Sequence, residues 1–215
     1  MSNEEGKSVN LNNNLLQIFI ILRSFSQNNY LVGGCVRDSL IGREPKDFDI
    51  VTDVHMDTIE NAFIDNGWTV DSVGKQFLVM FVSKNGEQYE IANFRKDVGF
   101  SDGRRPDEAI IGNLTTDAAR RDFTVNSIYY DPINGLYLDP NNGMKDAKER
   151  ILRFIGRPQD RIREDYLRIF RFYRFLSKGF TPDKKSLKAC RELFNEAYGQ
   201  TTAERVRIEV ERMVL

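Results

Sequence analysis

The tightest constraint in this chain is a Gly-Gly turn followed at short range by two alternating aspartates. Apolar Leu31-Val32 runs into Gly33-Gly34, a helical pattern follows through Cys35-Val36-Arg37-Asp38, and a second apolar run carries Asp47 and Asp49 on either side of Phe48. Strand side chains two apart share a face. Asp47 and Asp49 are therefore expected to project together, with Phe48 turned to the core. Adjacent carboxylates repel unless a cation lies between them. Hard oxygen donors suit Mg²⁺, which takes one or two carboxylates together with substrate phosphates. A Gly-Gly turn that opens a helix offers free N–H groups and the positive end of a dipole to an anion. The two features together describe a site for a metal and a triphosphate, with Asp47 and Asp49 as metal ligands and catalytic carboxylates.

Composition excludes several alternatives. With 215 residues, 40% hydrophobic and 29% charged, the chain has room for one large soluble domain or two small ones. A net charge of −1 means that any nucleic-acid contact must come from a local basic surface. His55 is the single histidine, which argues against Ser-His-Asp chemistry and histidine-ligated zinc, and it is expected on a surface turn. Cys35 and Cys190 lack metal or redox spacing and read as reduced thiols of a cytoplasmic protein. The apolar run 15–22 is too short to span a membrane, and the segment before it is unlike a signal peptide.

Periodicity divides the chain. Residues 1–13 form a polar tail. Residues 15–25 read as a helix, 30–32 as a strand, 37–41 as a helix, 47–51 as a strand and 56–66 as a helix. Strands are expected from Trp68, over 77–82 and over 88–94, the last two joined through Asn85-Gly86, a strong hairpin signal. Residues 96–107 hold glycines, a proline and many charges, and read as a mobile functional loop. A helical start at Thr115-Thr116-Asp117, a strand over 127–130 and a turn over 139–143 follow. From Met144 the pattern is helical, with helices expected over 163–176, 184–197 and 203–214. The expected division is a tail (1–13), a mixed α+β head (14–139) and an all-helical part (140–215).

Four further groups carry chemistry, each with a plainer alternative. Glu90, in Tyr89-Glu90-Ile91, could be a third catalytic carboxylate, or a charge on the open face of an edge strand. Arg37 and Asp38 could face phosphate, or pair locally at a helix start. In Arg120-Arg121-Asp122-Phe123-Thr124-Val125-Asn126, Asp122 and Asn126 would share a helix face and suit a ribose, and the arginines suit phosphate. A solvated face is the alternative. Asp165 and Arg168 would also share a helix face. They form either a helical salt bridge or a base-reading pair, in which an Arg donor beside an Asp acceptor matches the edges of cytosine and adenine. Guanine and uracil present the reverse pattern and would leave both groups unpaired, at high cost in a dry site. CTP and ATP would then be accepted, and GTP and UTP refused.

These motifs in this order resemble the class II tRNA nucleotidyltransferases, the CCA-adding enzymes, and the related bacterial poly(A) polymerases within the polymerase-β-like superfamily. Residues 31–38 with Asp47-Phe48-Asp49, then 120–126, then Glu164-Asp165-Tyr166-Leu167-Arg168 carry the resemblance. Asp139 with Gly143 and Asp146, and Thr201-Thr202-Ala203-Glu204-Arg205 with Glu209, resemble further motifs of the family. The resemblance implies an α+β nucleotidyltransferase head followed by a helical neck, and Mg²⁺ on Asp47 and Asp49. It implies triphosphate at Gly33-Gly34, ribose at Asp122 and Asn126, and the C-or-A edge at Asp165 and Arg168. Arg37, Arg121 and Arg171 complete the candidate nucleotide-binding set. Residues 95–105 would be the flexible loop of members that add the terminal A. The expected partners are CTP, ATP and a tRNA 3′ end. Family members continue into helical body and tail domains, so a fragment, a compact variant, or a second polypeptide or oligomer supplying the tail is expected. The basic run Arg150, Arg153, Arg157, Arg161 and Arg163 could hold an acceptor end, or be a solvated face.

Overall fold

The computed structural model describes residues 9–99 and 108–214. Helix α1 (Asn13–Arg23) is capped by Asn12, whose side chain accepts from the Leu15 amide at 2.8 Å. Leu15, Ile18, Phe19 and Leu22, at helical spacing, are its buried stripe. Strand β1 (Asn29–Val32), helix α2 (Gly34–Leu40), strand β2 (Asp49–Thr52) and helix α3 (Met56–Asp65) follow, then β3 (Thr69–Asp71). Strands β4 (Val79–Lys84) and β5 (Glu87–Asn93) form the expected hairpin. Asn85 and Gly86 both take positive φ, 55° and 80°, as a two-residue turn between right-twisting strands requires.

The segment expected to be a mobile loop is in part ordered ribbon. Strand β6 (Arg95–Val98) pairs antiparallel with β7 (Glu108–Ile111), with Arg95 opposite Ile111 and Val98 opposite Glu108. The charge-rich composition concealed a short hairpin whose stem needs little apolar burial. The remainder of the proposed loop, residues 100–107, lies outside the described residues, as do residues 1–8 of the tail.

Helix α4 (Leu114–Arg120) is opened by a capping box between Asn113 and Thr116. Strands β8 (Tyr129–Asp131) and β9 (Leu136–Leu138) complete a seven-stranded sheet of order β3-β4-β5-β2-β1-β8-β9. All its neighbours are antiparallel except β2 and β5, which run parallel. The strand carrying Glu90 is thus central, which removes the edge-strand alternative.

After the sheet come α5 (Gly143–Glu149), β10 (Ile151–Leu152), α6 (Pro158–Glu164), α7 (Leu167–Ser177) and β11 (Thr181–Pro182), with β10 and β11 paired in parallel. Helices α8 (Lys184–Glu192), α9 (Phe194–Gln200) and α10 (Ala203–Val214) end the described chain. The helix expected over 184–197 is two helices meeting at Leu193. Apolar packing runs without a break from the sheet into these helices. Phe123, Phe154, Phe172 and Phe175 form one buried aromatic group, with ring centroids of Phe123 and Phe154 4.8 Å apart. Among the described residues no helix is long and apolar enough to cross a membrane.

Candidate active site

A cavity of about 560 Å³ lies between the sheet and helix α7. Gly33, Gly34, Arg37, Asp47, Asp49, Arg121, Asp122, Asn126, Asp165, Arg168 and Arg171 all stand on its wall. Eight arginines and six carboxylates line it, so the cleft is locally basic in a chain of net charge −1. That charge suits a polyanionic ligand.

The glycine turn opens α2 on the cavity wall. Gly33 takes φ +78° at the start of α2, and the helix begins at Gly34, earlier than residues 37–41 suggested. A Cβ at Gly33 would stand 3.4 Å from Asp49 Oδ2 and 3.6 Å from Arg121 Nη1. The backbone is therefore bare where an aspartate and an arginine converge. Asp49 opens β2, and Asp47 precedes the strand instead of lying in it. Both are exposed to the cavity, and Phe48 packs half-buried against the core. The protein crowding Asp49 pushes its carboxyl above the usual range; Arg121 pulls it down, and Asp47 pushes it further up. That mutual repulsion is what a bound cation would relieve. Among the described residues no three acidic, histidine or cysteine side chains form a metal cage. Asp47 and Asp49 offer an open pair of hard oxygen donors, the kind Mg²⁺ takes together with phosphate oxygens.

Glu90 lies in register with Asp49 on the parallel strand β5. Burial and then the Asp49 charge push its carboxyl up. Its place is beside Asp49, in a crevice with Arg95, Arg120 and Arg121, and outside the 560 Å³ cleft.

Arg37 makes the local pair and also stands on the cavity wall. It holds Asp38 through two hydrogen bonds of 2.9 Å, donates Nη1 to Asn126 Oδ1, and lies over the Phe175 ring at 4.9 Å. A local pair thus fixes a guanidinium on the cavity wall.

Asp122 and Asn126 do not share a helix face. Phe123 takes extended backbone and forms an isolated bridge to Phe154, because its ring must enter the aromatic core. Residues Thr124–Asn126 then form a single 3-10 turn that brings Asn126 back. Asn126 Nδ2 donates to Asp122 Oδ1 at 2.9 Å, and Arg171 pairs with Asp122 Oδ2 at 2.9 Å. Burial pushes the Asp122 carboxyl up, but Arg171, the Asn126 amide, Arg168 and the Phe123 amide together hold it below the usual range. Arg171 Nε is buried with no hydrogen-bond partner among the described residues, and Asp122 Oδ2 is engaged only by Arg171 Nη2. A free donor beside a singly engaged carboxylate oxygen suits a hydroxyl-bearing ligand.

The helix expected over 163–176 is broken at Asp165. This residue is extended (φ −151°, ψ 106°), and its Oδ1 accepts from the Leu167 amide at 3.2 Å, an Asx turn that restarts the chain as α7. Asp165 and Arg168 therefore form no helical salt bridge. Arg205 of α10 takes Asp165, at 3.1 Å. Glu164 takes Arg168, at 2.7 Å, and Arg168 also donates to the carbonyls of Arg161 and Arg120. Those bonds use three of the five N–H groups of the guanidinium.

Several contributors were given no role from sequence. Asp117 is fully buried; it binds Arg121 through Nε and Nη2 at 3.0 and 2.9 Å and accepts from the Tyr129 hydroxyl at 2.7 Å. Its i+3 and i+4 spacing to Arg120 and Arg121 was the available signal. Glu164 as the holder of Arg168 had the same i+4 signal, whereas Arg205 and Arg174, the latter paired with Glu209, are placed only by the packing of α7 on α10. In the basic run, Arg153 and Arg161 pair closely with carboxylates, Arg157 and Arg163 lie 3.9 Å from theirs on exposed side chains, and Arg150 forms no ion pair among the described residues. Both cysteines are free and buried, and burial pushes the Cys35 thiol up to about 12. His55 caps α3 on the surface.

Comparison with known proteins places this geometry. The Poly A polymerase head domain matches residues 29–153. Poly(A) polymerase I of Haemophilus influenzae is 36% identical over 177 residues, covering 76% of this chain and 38% of that protein. The CCA-adding enzyme of Bacillus pumilus is 38% identical over 201 residues, covering 93% of this chain and 49% of that enzyme. The crystal structure of the Bacillus stearothermophilus CCA-adding enzyme in complex with CTP superposes with a TM-score of 0.80 at 31% identity, covering 92% of this chain and 47% of that one. The chain thus spans half or less of the length of these relatives.

Proposed function

The chain belongs to the Poly A polymerase head-domain family, and from that premise we propose that it is a template-independent RNA nucleotidyltransferase that adds C and A to the 3′ end of tRNA from CTP and ATP. The observation that carries this reading is the arrangement of one cavity. Asp47 and Asp49 stand on its wall with Asp165 and Arg168, and neither of the last two is paired with the other. A triphosphate lies toward the bare backbone of Gly33 and Gly34 and toward Arg121. A ribose hydroxyl meets Asp122 Oδ2 and the unpartnered Arg171 Nε, with Asn126 beside them. The remaining donors of Arg168 and the carboxylate of Asp165 meet the acceptor and amino group of cytosine or adenine. The RNA 3′ oxygen bonds to the α-phosphorus, and pyrophosphate leaves. Mg²⁺, when held by Asp47 and Asp49, supplies a more acidic attacking hydroxyl and charge neutralisation on the leaving group. Glu90 acts through Asp49, with which it is in register. The same reading divides the chain into a head to about Asp139 and a helical neck beyond it, and puts the protein in the cytoplasm.

A poly(A) polymerase or A-only enzyme is the second reading, favoured by the similarity to the H. influenzae poly(A) polymerase I. Labelled CTP and labelled ATP, supplied separately to the protein with tRNA lacking its CCA end, separate the two. CMP incorporation is the expected result. AMP incorporation alone transfers the assignment to the second reading, and incorporation of neither overturns both.

A further inference from the structure

Arg121 stands beside Asp49 and does not pair with it. A Cβ at Gly33 would lie 3.6 Å from Arg121 Nη1 and 3.4 Å from Asp49 Oδ2, so the two side chains converge on one point. Yet Arg121 and Asp49 form no ion pair among the described residues, because the guanidinium is taken from its other side. Its Nε and Nη2 donate to Asp117 Oδ2 at 3.0 and 2.9 Å, and Nε donates also to the Tyr129 hydroxyl at 3.2 Å. The Tyr129 hydroxyl donates its own proton to Asp117 Oδ2 at 2.7 Å, and its ring lies 5.5 Å from the Arg121 guanidinium carbon. Asp117 Oδ1 is taken by Arg120, at 2.6 Å. A guanidinium is a rigid planar fork, so holding one edge fixes where the other points. Here Nη1 is directed at the bare backbone of Gly33.

A solvated pair four apart on a helix is weak. This pair is of another kind, because Asp117 and Tyr129 are both fully buried. Burial pushes the Asp117 carboxyl up, but Arg121, Arg120 and the Tyr129 hydroxyl together hold it below the usual range. Two guanidiniums thus share one charged carboxylate at the edge of the cavity. We propose that Asp117, with Tyr129, is a positioning residue that holds Arg121 away from Asp49. The Asp49 oxygens stay open to a divalent cation, and Nη1 stays free for a phosphate that the cation also meets. This rests on the transfer reading above. A guanidinium released from Asp117 would close on Asp49, and arginine and cation would then compete for one oxygen. Asp117 touches neither nucleotide nor cation and acts through Arg121.

The test uses the full chain and Mn²⁺ alone, with free Mn²⁺ read from its electron paramagnetic resonance signal. Asp117→Asn keeps the shape of the side chain and removes its charge. It should bind Mn²⁺ about 10- to 100-fold more weakly, the range for losing an outer partner of a metal site. Asp117→Asn/Arg121→Gln should regain the parent affinity, because no guanidinium remains to occupy Asp49. Asp117→Asn/Arg120→Gln has the same net charge and should regain nothing. Parental Mn²⁺ affinity in Asp117→Asn, no recovery with Arg121→Gln, or equal recovery with Arg120→Gln would overturn the proposal. Should Asp117→Asn fold poorly, Tyr129→Phe keeps the ring in the core and loosens the same grip. It should bind Mn²⁺ more weakly than the parent and recover in Tyr129→Phe/Arg121→Gln, and parental affinity in Tyr129→Phe would overturn the proposal. A parent protein that binds no Mn²⁺ also overturns it. A parent that binds Mn²⁺, with the variants in the expected order, but incorporates no nucleotide would instead remove the transfer reading, with the binding result standing apart from it.

Discussion

Arg205 of α10 grips the carboxylate of Asp165, 40 residues earlier in the chain, at 3.1 Å. Arg168, three positions after Asp165, is held by Glu164 instead. An acceptor and a donor that would neutralise each other on a continuous helix are thereby kept separate and turned to one cavity.

Removing the grip should loosen base reading. Arg205→Ala is expected to lower kcat/KM for CTP and ATP by about tenfold or more, in line with about 1.5–3 kcal/mol for a hydrogen bond to a charged group. Arg168→Ala should cut the preference for CTP and ATP over UTP and GTP by about 10- to 100-fold, the range expected of a good bidentate pair. Single-nucleotide incorporation with each of the four triphosphates measures both, and unchanged selectivity of Arg168→Ala would reject the base-reading pair.

Asp47→Ala and Asp49→Ala should each abolish incorporation while the circular dichroism spectrum stays that of the parent. Both side chains are exposed to the cavity, so neither truncation opens a void in the core. Incorporation retained by either variant would remove that residue from the metal site.

Asp49 and Asp122 predict opposite pH behaviour. The folded state raises the Asp49 carboxyl above its ordinary 3.8, so the charged form opposes folding, and stability declines as pH rises through that raised value. Asp49→Asn should therefore raise Tm at pH 7, and the gain should vanish at pH below about 4, near the free-carboxylate value. Asp122 is held below 3.8, so its contribution is present above that value and is lost as pH falls through the depressed one. Asp122→Asn should lower Tm at pH 7, with the deficit closing in acid. Thermal melts of the three proteins over a pH series without added metal decide this, and a Tm for Asp49→Asn at or below the parent at pH 7 would contradict the repulsion argument.

Gly143 supports the site from behind. A Cβ there would lie 2.0 Å from the Thr124 carbonyl oxygen, at the turn that delivers Asn126. Backbone cannot swing aside as a side chain can, so Gly143→Ala should cost about 1–3 kcal/mol, typical of overpacking. It should also raise KM for nucleotide. Urea denaturation at constant m-value checks the first, and initial rates the second.

Much of the head was legible because its signals are local. The hairpin at Asn85-Gly86, the half-buried Phe48 between two exposed aspartates, and the stripe of α1 all follow from period and turn chemistry. The candidate residues were legible as a set but not in their local geometry. Asp122 with Asn126, and Asp165 with Arg168, were placed on helix faces by spacing. In the structure an extended Phe123 and an Asx turn at Asp165 break those helices. Demand from the aromatic core at Phe123 outweighed helical spacing, and a sequence window has no access to that demand.

What the sequence determined by itself is the inventory: two carboxylates after a glycine turn, an acceptor and a donor three apart, and apolar periods strong enough to define a mixed sheet and a run of helices. What the tertiary structure decided is which charges meet. Arg205 reaches Asp165, Arg171 reaches Asp122, and β5 brings Glu90 beside Asp49, while Arg43, Lys46 and Lys178 meet no carboxylate among the described residues. Hydrophobic periodicity repeats within a few residues and can be read along the chain. Ion pairing depends on distance in space, and that is set only once α7, α10 and the sheet have packed.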